Sequence, residues 1–102
     1  MSVRISEPAR TDLGDIYGYL RDLNPAAAVQ VVERLVARCE SIERFPDRGT
    51  ALRTRSGREV RRLVEAPFVI VYGQSGSDLV VFRILHGARD VGVLLNLIRD
   101  GD

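Results

Sequence analysis

The sequence predicts an α+β domain in which an N-terminal helical hairpin packs on one face of an antiparallel sheet of about four strands. Two consecutive segments near the N-terminus place apolar residues every three or four positions, as amphipathic helices do. Three later segments alternate or run apolar and are separated by turn residues, as strands are. The expected order is β-α-α-β-β-β with a short C-terminal helix, in one domain over residues 1–102. Because each element has an apolar side to bury, the hairpin must cover the sheet.

The first part of the chain contains a short strand and two helices. The alternating "SVRIS" predicts the strand, and Ser6 is a suitable N-cap for the helix that follows. This helix is expected to end near Leu23, and its apolar stripe is formed by Ala9, Leu13, Ile16, Tyr17 and Leu20. Asn24 and Pro25 restart the helical pattern as a cap and a first helical residue. The second stripe contains Ala28, Val31, Val32, Leu35, Cys39 and Ile42. The very short link predicts an antiparallel helical hairpin.

The second half has the pattern of a strand meander. "REVRRLVE" alternates, "PFVIVYG" is nearly continuous and apolar, and "LVVFRILH" follows the turn "QSGSD". In the last strand, we expect Phe82 and Ile84 to face the hairpin and Arg83 to face the open side of the sheet. "ARDVGVLLNLIRD" returns to helical spacing through Val91, Leu94, Leu95 and Ile98.

The charge is unevenly distributed. All fifteen cations are arginines, and the net charge is only +1. The segment 44–62 carries seven arginines and two acids, whereas the segments on either side each have a net charge of −2. A charge run often only protects a sheet edge. Alternatively it forms an anion-binding surface for nucleic acid or an acidic peptide. The six scattered aromatic residues argue against stacking on single-stranded bases.

Several classes of function have no support in the sequence. No apolar stretch is long enough to span a bilayer, and the N-terminus lacks a signal region, so a cytoplasmic protein is expected. Cys39 is interpreted as a buried hydrophobe, and no Cys/His cluster is present for zinc. Neither a phosphate-binding glycine loop nor a nucleophile elbow occurs. We therefore expect no cofactor and no metal.

The stretch "VVFRILHGARD" contains the single histidine of the chain. Arg83, His86 and Arg89 can reach one rim of the sheet, where they would bind phosphate or transfer protons. The structural alternative is that His86 caps the strand end and Arg89 pairs with Asp90 or a helix carboxylate. On the local sequence alone, the structural alternative is favoured.

Several segments, taken in this order, resemble the RelE/ParE superfamily of type II toxin–antitoxin toxins. They are "SEPARTDLGDIYGYL", "NPAAAVQVVERL", "ESIERFPDRG", "REVRRLVEAPFVIVY" and "VVFRILHGARD". The resemblance implies the same α+β fold, and a cognate antitoxin that binds the toxin in a hetero-oligomer and neutralises it. It also implies one of two activities. RelE-like members cut mRNA in the ribosome, and ParE-like members block DNA gyrase with no known catalysis of their own.

The residues favour the ParE-like branch. RelE-like nucleases typically carry lysines and an arginine on the central strands. This chain has no lysine, and the position just before "IVY", where such nucleases tend to carry arginine, is Val69. No tyrosine follows Tyr72, and "LHGARD" is closer to the ParE-like pattern. The alternatives are a RelE-like, metal-independent mRNA endonuclease and a non-toxic binding module of the same fold. We assign no catalytic residue. The candidate residues for binding target or antitoxin are Arg58, Arg61, Arg62, Arg83, His86 and Arg89.

Overall fold

A computed structural model describes residues 2–100 of the chain. Its elements in chain order are β1 (Val3–Ile5), α1 (Glu7–Leu23), α2 (Pro25–Ser41), β2 (Thr50–Arg53), β3 (Glu59–Glu65), β4 (Phe68–Ser75), β5 (Asp78–His86) and α3 (Val91–Asp100). The predicted α+β class, the helical hairpin and the short C-terminal helix are confirmed. None of the described helices is both long and apolar enough to cross a membrane.

The sheet is mixed and has five strands in the order β1-β5-β4-β3-β2. Strands β2 to β5 form an antiparallel meander. β1 pairs with β5 in parallel, with Val3 opposite Leu79. A parallel neighbour requires a long crossover between the two strands, and the helical hairpin forms the first part of this connection. The additional strand β2 lies in the arginine-rich connection, where its four residues show no strand pattern.

Side-chain caps begin both helices of the hairpin, as the sequence predicts. Ser6 Oγ accepts a hydrogen bond from the Ala9 N–H at 3.2 Å and donates to the Phe82 carbonyl at 3.0 Å. Asn24 Oδ1 accepts from the Ala27 N–H at 3.2 Å. The Asn24 N–H in turn donates to the Leu20 carbonyl of α1 at 2.7 Å. One asparagine therefore ends the first helix and begins the second.

The main core lies between the hairpin and one face of the sheet. Its buried members are Ala9, Ile16, Leu35, Cys39, Ile42, Leu63, Phe68, Ile70, Tyr72, Leu79, Val81 and Ile84. Tyr17, predicted to be on the buried stripe, is instead 36% exposed. Burial raises the pKa of the Cys39 thiol to about 12, so the thiol stays protonated and behaves as a hydrophobic group.

The opposite side of the sheet, called here the open face, has a smaller apolar cluster. Its buried residues are Val60, Val69, Val71 and Leu85, and α3 packs on them through Val93, Leu94 and Leu97. The side chain of Ile98 lies outside the described part of the chain. The open face is therefore covered by one short helix.

Phe82 was expected to face the hairpin, and this prediction is wrong. Val71 pairs with Arg83 and Tyr72 pairs with Val81, so Phe82 is an extra residue in a β-bulge. A bulge places two successive side chains on the same side of a sheet and breaks the alternation. Phe82 consequently packs in the open-face cluster, while Ile84 faces the hairpin as predicted.

Candidate functional site

An apolar groove on the open face is the candidate binding site. It has a volume of about 320 Å³ and lies between the start of α1, the turn before β3 and α3. Its lining consists of Ser6, Pro8, Thr54, Arg58, Val60, Val71, Phe82, Arg83 and Leu97. The groove thus combines an aliphatic and aromatic surface with two arginines, a composition that suits an amphipathic peptide segment.

The bulge in β5 brings Phe82 and Arg83 into the groove together. In a regular strand one of these two side chains would point towards the hairpin. The centre of the Phe82 ring instead lies 4.7 Å from the guanidinium carbon of Arg58, in a cation–π contact. The bulge therefore creates both the aromatic part of the groove and the support for an arginine at its rim.

Arg58 is presented by a tight turn between β2 and β3. The Thr54 N–H donates to the Arg58 carbonyl at 2.8 Å, and the Arg58 N–H donates to Thr54 Oγ1 at 3.0 Å. Gly57 has a φ of +90°, a conformation that favours glycine. Among the side chains that the structure describes, Arg58 has no carboxylate partner. Its positive charge is therefore available to a ligand.

Arg83 is held by a carboxylate from α1. Its Nε donates to Asp12 Oδ2 at 2.8 Å, and its Nη2 donates to Asp12 Oδ1 at 2.9 Å. The Ile84 N–H donates to the same carboxylate at 2.9 Å. Hydrogen bonding to Asp12 raises the pKa of Arg83, against the opposing effect of burial. Arg83 thus lines the groove but is already neutralised, and this pair fastens α1 to β5.

Arg61 and Arg62 lie on opposite faces of β3. Arg61 donates to the carbonyls of Asp47 and Gly49, at 3.1 and 2.7 Å, and forms ion pairs with the side chains of Asp47 and Glu59. Arg62 lies two residues after Val60 and opposite Val71, so it shares the open face with them, and its buried Nε has no hydrogen-bond partner among the described residues. Arg61 therefore stabilises a turn, whereas the guanidinium of Arg62 keeps a hydrogen-bond donor for another group.

His86 and Arg89 lie in a different depression, beside α1. His86 Nδ1 accepts hydrogen bonds from the backbone N–H groups of Ala88 and Arg89, at 3.3 and 3.0 Å. A ring nitrogen that accepts cannot carry a proton, so the proton is on Nε2. The His86 N–H donates to Asp90 Oδ2 at 2.8 Å, and Arg89 Nε lies 3.3 Å from Asp90 Oδ1. The contacts that the structural alternative expects, a hydrogen-bonded His86 at the strand end and an Arg89–Asp90 pair, are both present.

The six candidate residues therefore do not form one rim. Arg58 and Arg83 line the groove, and Arg62 is on the same face of the sheet. Arg61 points to the other face, and His86 and Arg89 line a separate depression with Tyr19 and Phe68.

The partner of Arg83 was not anticipated from the sequence, although a signal for it exists. Asp12 lies three residues after Ala9 and four before Ile16, which places an acid on the buried stripe of α1. An acid on such a stripe and an arginine within an apolar strand are both costly to bury alone. They are therefore natural partners for each other.

Comparisons with known proteins agree with this architecture. The family model described as the ParE toxin of the type II toxin–antitoxin system parDE matches residues 3–91. The chain is 35% identical over 81 residues to a protein named Toxin RelE2 from Caulobacter vibrioides, covering 79% of this chain and 89% of that protein. It also resembles a solved structure of the chromosomal ParDE toxin–antitoxin system from P. aeruginosa. That likeness has a TM-score of 0.72 and 25% sequence identity, and covers 84% of this chain and 95% of that chain.

Together with the fold, these matches identify a small toxin of the RelE/ParE superfamily. Because the family model matches most of its length, the chain belongs to the ParE toxin family of type II toxin–antitoxin systems. In the part of the chain that the structure describes, no group of three His, Cys, Asp or Glu side chains is arranged to hold a metal ion.

Proposed function

We propose that this toxin acts by blocking DNA gyrase, as the resemblance to the ParE-like branch implies, and that a cognate antitoxin neutralises it by filling the groove. The hydrogen bonding of His86 is the observation that supports gyrase inhibition over RNA cleavage. Its Nδ1 accepts two backbone hydrogen bonds, and its side chain lies away from the groove that contains Arg58.

A metal-independent ribonuclease needs a proton acceptor beside cations that stabilise phosphate charge. Among the described residues, Arg83 and Arg89 are already paired with Asp12 and Asp90. The Tyr72 hydroxyl donates to the Pro46 carbonyl at 2.7 Å. Among the described side chains, Arg58 and Arg62 on the open face have no carboxylate partner, and the described lining of the groove beside Arg58 includes no histidine or tyrosine. Tyr72 lines a second depression with Arg58, but its hydroxyl proton is already donated to Pro46. This arrangement supports binding of a target over cleavage of RNA.

The substitution His86→Asn tests this proposal. The asparagine Oδ1 can accept the same two backbone hydrogen bonds as Nδ1, but the amide cannot transfer protons at neutral pH. We expect unchanged growth arrest on induction, and unchanged inhibition of gyrase supercoiling by the purified protein. A proton-transfer role predicts a loss of about 100-fold or more. A folded His86→Asn protein that has lost its toxicity would contradict the proposal.

Ribosome-dependent mRNA cleavage is the second candidate, and the similarity to Toxin RelE2 favours it. Cut mRNA soon after induction, with normal plasmid supercoiling, would support this candidate. Normal growth on induction would instead indicate a binding module without toxicity.

The second part of the proposal rests on the composition of the groove. Val60, Val71 and Phe82 offer an apolar surface, and Arg58 and Arg62 lack carboxylate partners within the described residues. An antitoxin segment that folds into the groove would bury this surface and supply the missing carboxylates. Such a segment would lie along the sheet on the side opposite the hairpin.

The double substitution Arg58→Ala and Arg62→Ala tests the charge part of antitoxin binding. We expect a loss of affinity of about 30-fold or more, because losing one side of a buried charge pair is costly. The measurement is titration of the purified toxin with the antitoxin. Arg21→Ala, exposed on α1 away from the groove, is the control and should bind normally. Unchanged affinity in the double variant would show that the antitoxin does not use these two arginines.

A further inference from the structure

The turn after α2 presents an aromatic side chain between two arginines. Phe45 is 53% exposed. The guanidinium carbon of Arg48 lies 4.7 Å from the centre of its ring, and Arg48 Nη1 donates to Ser41 Oγ at 3.1 Å. Arg44 is exposed next to it. We call residues 44–48 the Phe45 turn. An exposed phenylalanine is costly in water, and here it is held in one place by an ordered arginine.

The Phe45 turn is braced from below by buried groups. The Tyr72 hydroxyl donates to the Pro46 carbonyl at 2.7 Å and accepts from the Gly49 N–H at 3.1 Å. Arg61 donates to the Asp47 and Gly49 carbonyls at 3.1 and 2.7 Å. A Cβ at Gly49 would lie 2.8 Å from the Arg62 carbonyl oxygen, so this position requires glycine. Rigid support lowers the entropy lost when an exposed side chain binds a partner.

The Phe45 turn and the groove belong to different faces of the sheet. Tyr72 packs in the core under the hairpin, and Arg61 holds the turn from that same face of β3. The groove is built on Val60 and Val71, which point the other way. Arg58 of the groove also borders a second depression with Pro46 and Asp47, so the two surfaces adjoin at this arginine. Phe45 itself lines neither depression, and a segment that fills only the groove would therefore leave its ring uncovered.

The charges around Phe45 indicate what its partner offers. Arg44 and Arg48 have no carboxylate partner among the described side chains, whereas Asp47 lies 3.5 Å from Arg61 and is partly compensated. Carboxylates placed opposite Arg44 and Arg48 would therefore be complementary to these two guanidiniums. Glu43 and Asp47 are also exposed, so residues 43–48 as a whole carry no net charge and lack the basic surface that binds a phosphate backbone. A single ring is not the series of aromatics that bind single strands by stacking. These features favour a protein over a nucleic acid.

We propose that the Phe45 turn docks on the protein target of the toxin, at an apolar notch bordered by carboxylates. The inference rests on the proposed function in so far as the chain acts as a toxin, but it does not depend on gyrase being the target. Phe45 would fill the notch, and Arg44 and Arg48 would pair with its rim. Phenylalanine and arginine are both enriched at protein interfaces, where a few residues carry most of the binding energy.

The test compares Phe45→Ala with Leu23→Ala, which removes another exposed apolar side chain, 68% exposed at the end of α1. We expect Phe45→Ala to reduce toxicity on graded induction by about tenfold or more. Its affinity for the purified antitoxin and its melting temperature should stay at the wild-type values. Leu23→Ala should match wild type in all three measurements. Arg44→Glu, which changes an exposed charge only, provides the same test without removing the ring and should also reduce toxicity.

Full toxicity of both Phe45→Ala and Arg44→Glu would overturn the inference. If Phe45→Ala lost its affinity for the antitoxin as well as its toxicity, the inference would also be overturned, because the turn would then belong to the antitoxin interface. The inference would likewise be overturned if wild type bound a single-stranded RNA or DNA oligonucleotide and Phe45→Ala lost that binding. A wild-type chain that does not arrest growth would overturn both this inference and the proposed function. Growth arrest that depends on Phe45 without any effect on purified gyrase would refute gyrase as the target and leave the docking surface standing.

Discussion

The two faces of the sheet differ in how completely the chain covers them. One face is covered by α1 and α2, each of 17 residues, and the other by α3 of ten residues. The hairpin contributes Ala9, Ile16, Leu35, Cys39 and Ile42 as buried residues to its core. The described residues that α3 contributes to the open-face cluster are only partly buried. Hydrophobic stabilisation scales with buried apolar area, so the hairpin face contributes most of the stability.

The charged groups differ between the faces in the same way. Around the hairpin, Glu65 pairs with Arg34 and Arg38 at 3.0 and 2.8 Å, and Asp12 pairs with Arg83. On the open face, Arg58 and Arg62 have no carboxylate partner within the described residues. The difference indicates that the core under the hairpin is complete in the isolated chain, whereas unpaired arginines remain in and beside the groove on the open face. The Phe45 turn, at the edge of the other face, also keeps two arginines without carboxylate partners among the described side chains.

The largest expected effect comes from cavities in the two clusters. Leu35 is fully buried under the hairpin, so Leu35→Ala should lower the free energy of unfolding by about 3 kcal/mol or more. Leu94 is partly buried on the open face, and Leu94→Ala should cost about 1 kcal/mol. Denaturant unfolding of both variants measures the two costs. Equal losses would show that the open face supports the fold as strongly as the hairpin face does.

The second expected effect concerns the ion pair that joins α1 to the sheet. Asp12→Ala leaves the Arg83 guanidinium and the Ile84 N–H without their acceptor, and should cost about 2 kcal/mol. The estimate is below the value for a fully buried pair because the Arg83 side chain is 30% exposed. Asp22→Ala breaks a pair with Arg21 at 3.7 Å that is mostly exposed, and its cost should be close to zero. Similar unfolding midpoints for the two variants would mean that the Asp12 pair adds no stability.

The helices and most of the strands could be predicted because their signals are local. Ser6 and Asn24 cap helices within three residues of themselves, and the apolar spacing follows each element's own period. β2 escaped prediction because an edge strand of four residues needs only its partner β3, and its sequence carries no alternation. Its pairing depends on a neighbour that local patterns cannot reveal.

The candidate site was harder to predict because its geometry depends on non-local pairing. Asp12 and Arg83 are 71 positions apart in the sequence, and the residues next to Arg83 do not indicate that Asp12 is its partner. The bulge at Phe82 moves one side chain to the other face, which alternation alone predicts wrongly. By contrast, the cap formed by His86 and the Arg89–Asp90 pair lie within four residues and could be anticipated.

The smallest expected effect concerns Asp90, at the junction between β5 and α3. Hydrogen bonding from Arg89, and then from the His86 backbone N–H, lowers the pKa of Asp90. A carboxyl group whose pKa is depressed in the folded state stabilises the fold above its unfolded pKa of about 3.9. This contribution is lost as the pH falls through the lower, folded value.

Asp90→Asn keeps an acceptor for the His86 N–H but removes the titrating charge. The difference in unfolding free energy between wild type and Asp90→Asn should therefore be constant above about pH 5 and shrink below about pH 4. It should also be smaller than the effect of Asp12→Ala, because the partner Arg89 is 62% exposed and the pair is screened by solvent. Thermal unfolding of both proteins across this pH range measures it. A difference that grew on acidification would reverse the sign of the linkage, and would mean that the charge of Asp90 destabilises the junction between the sheet and α3.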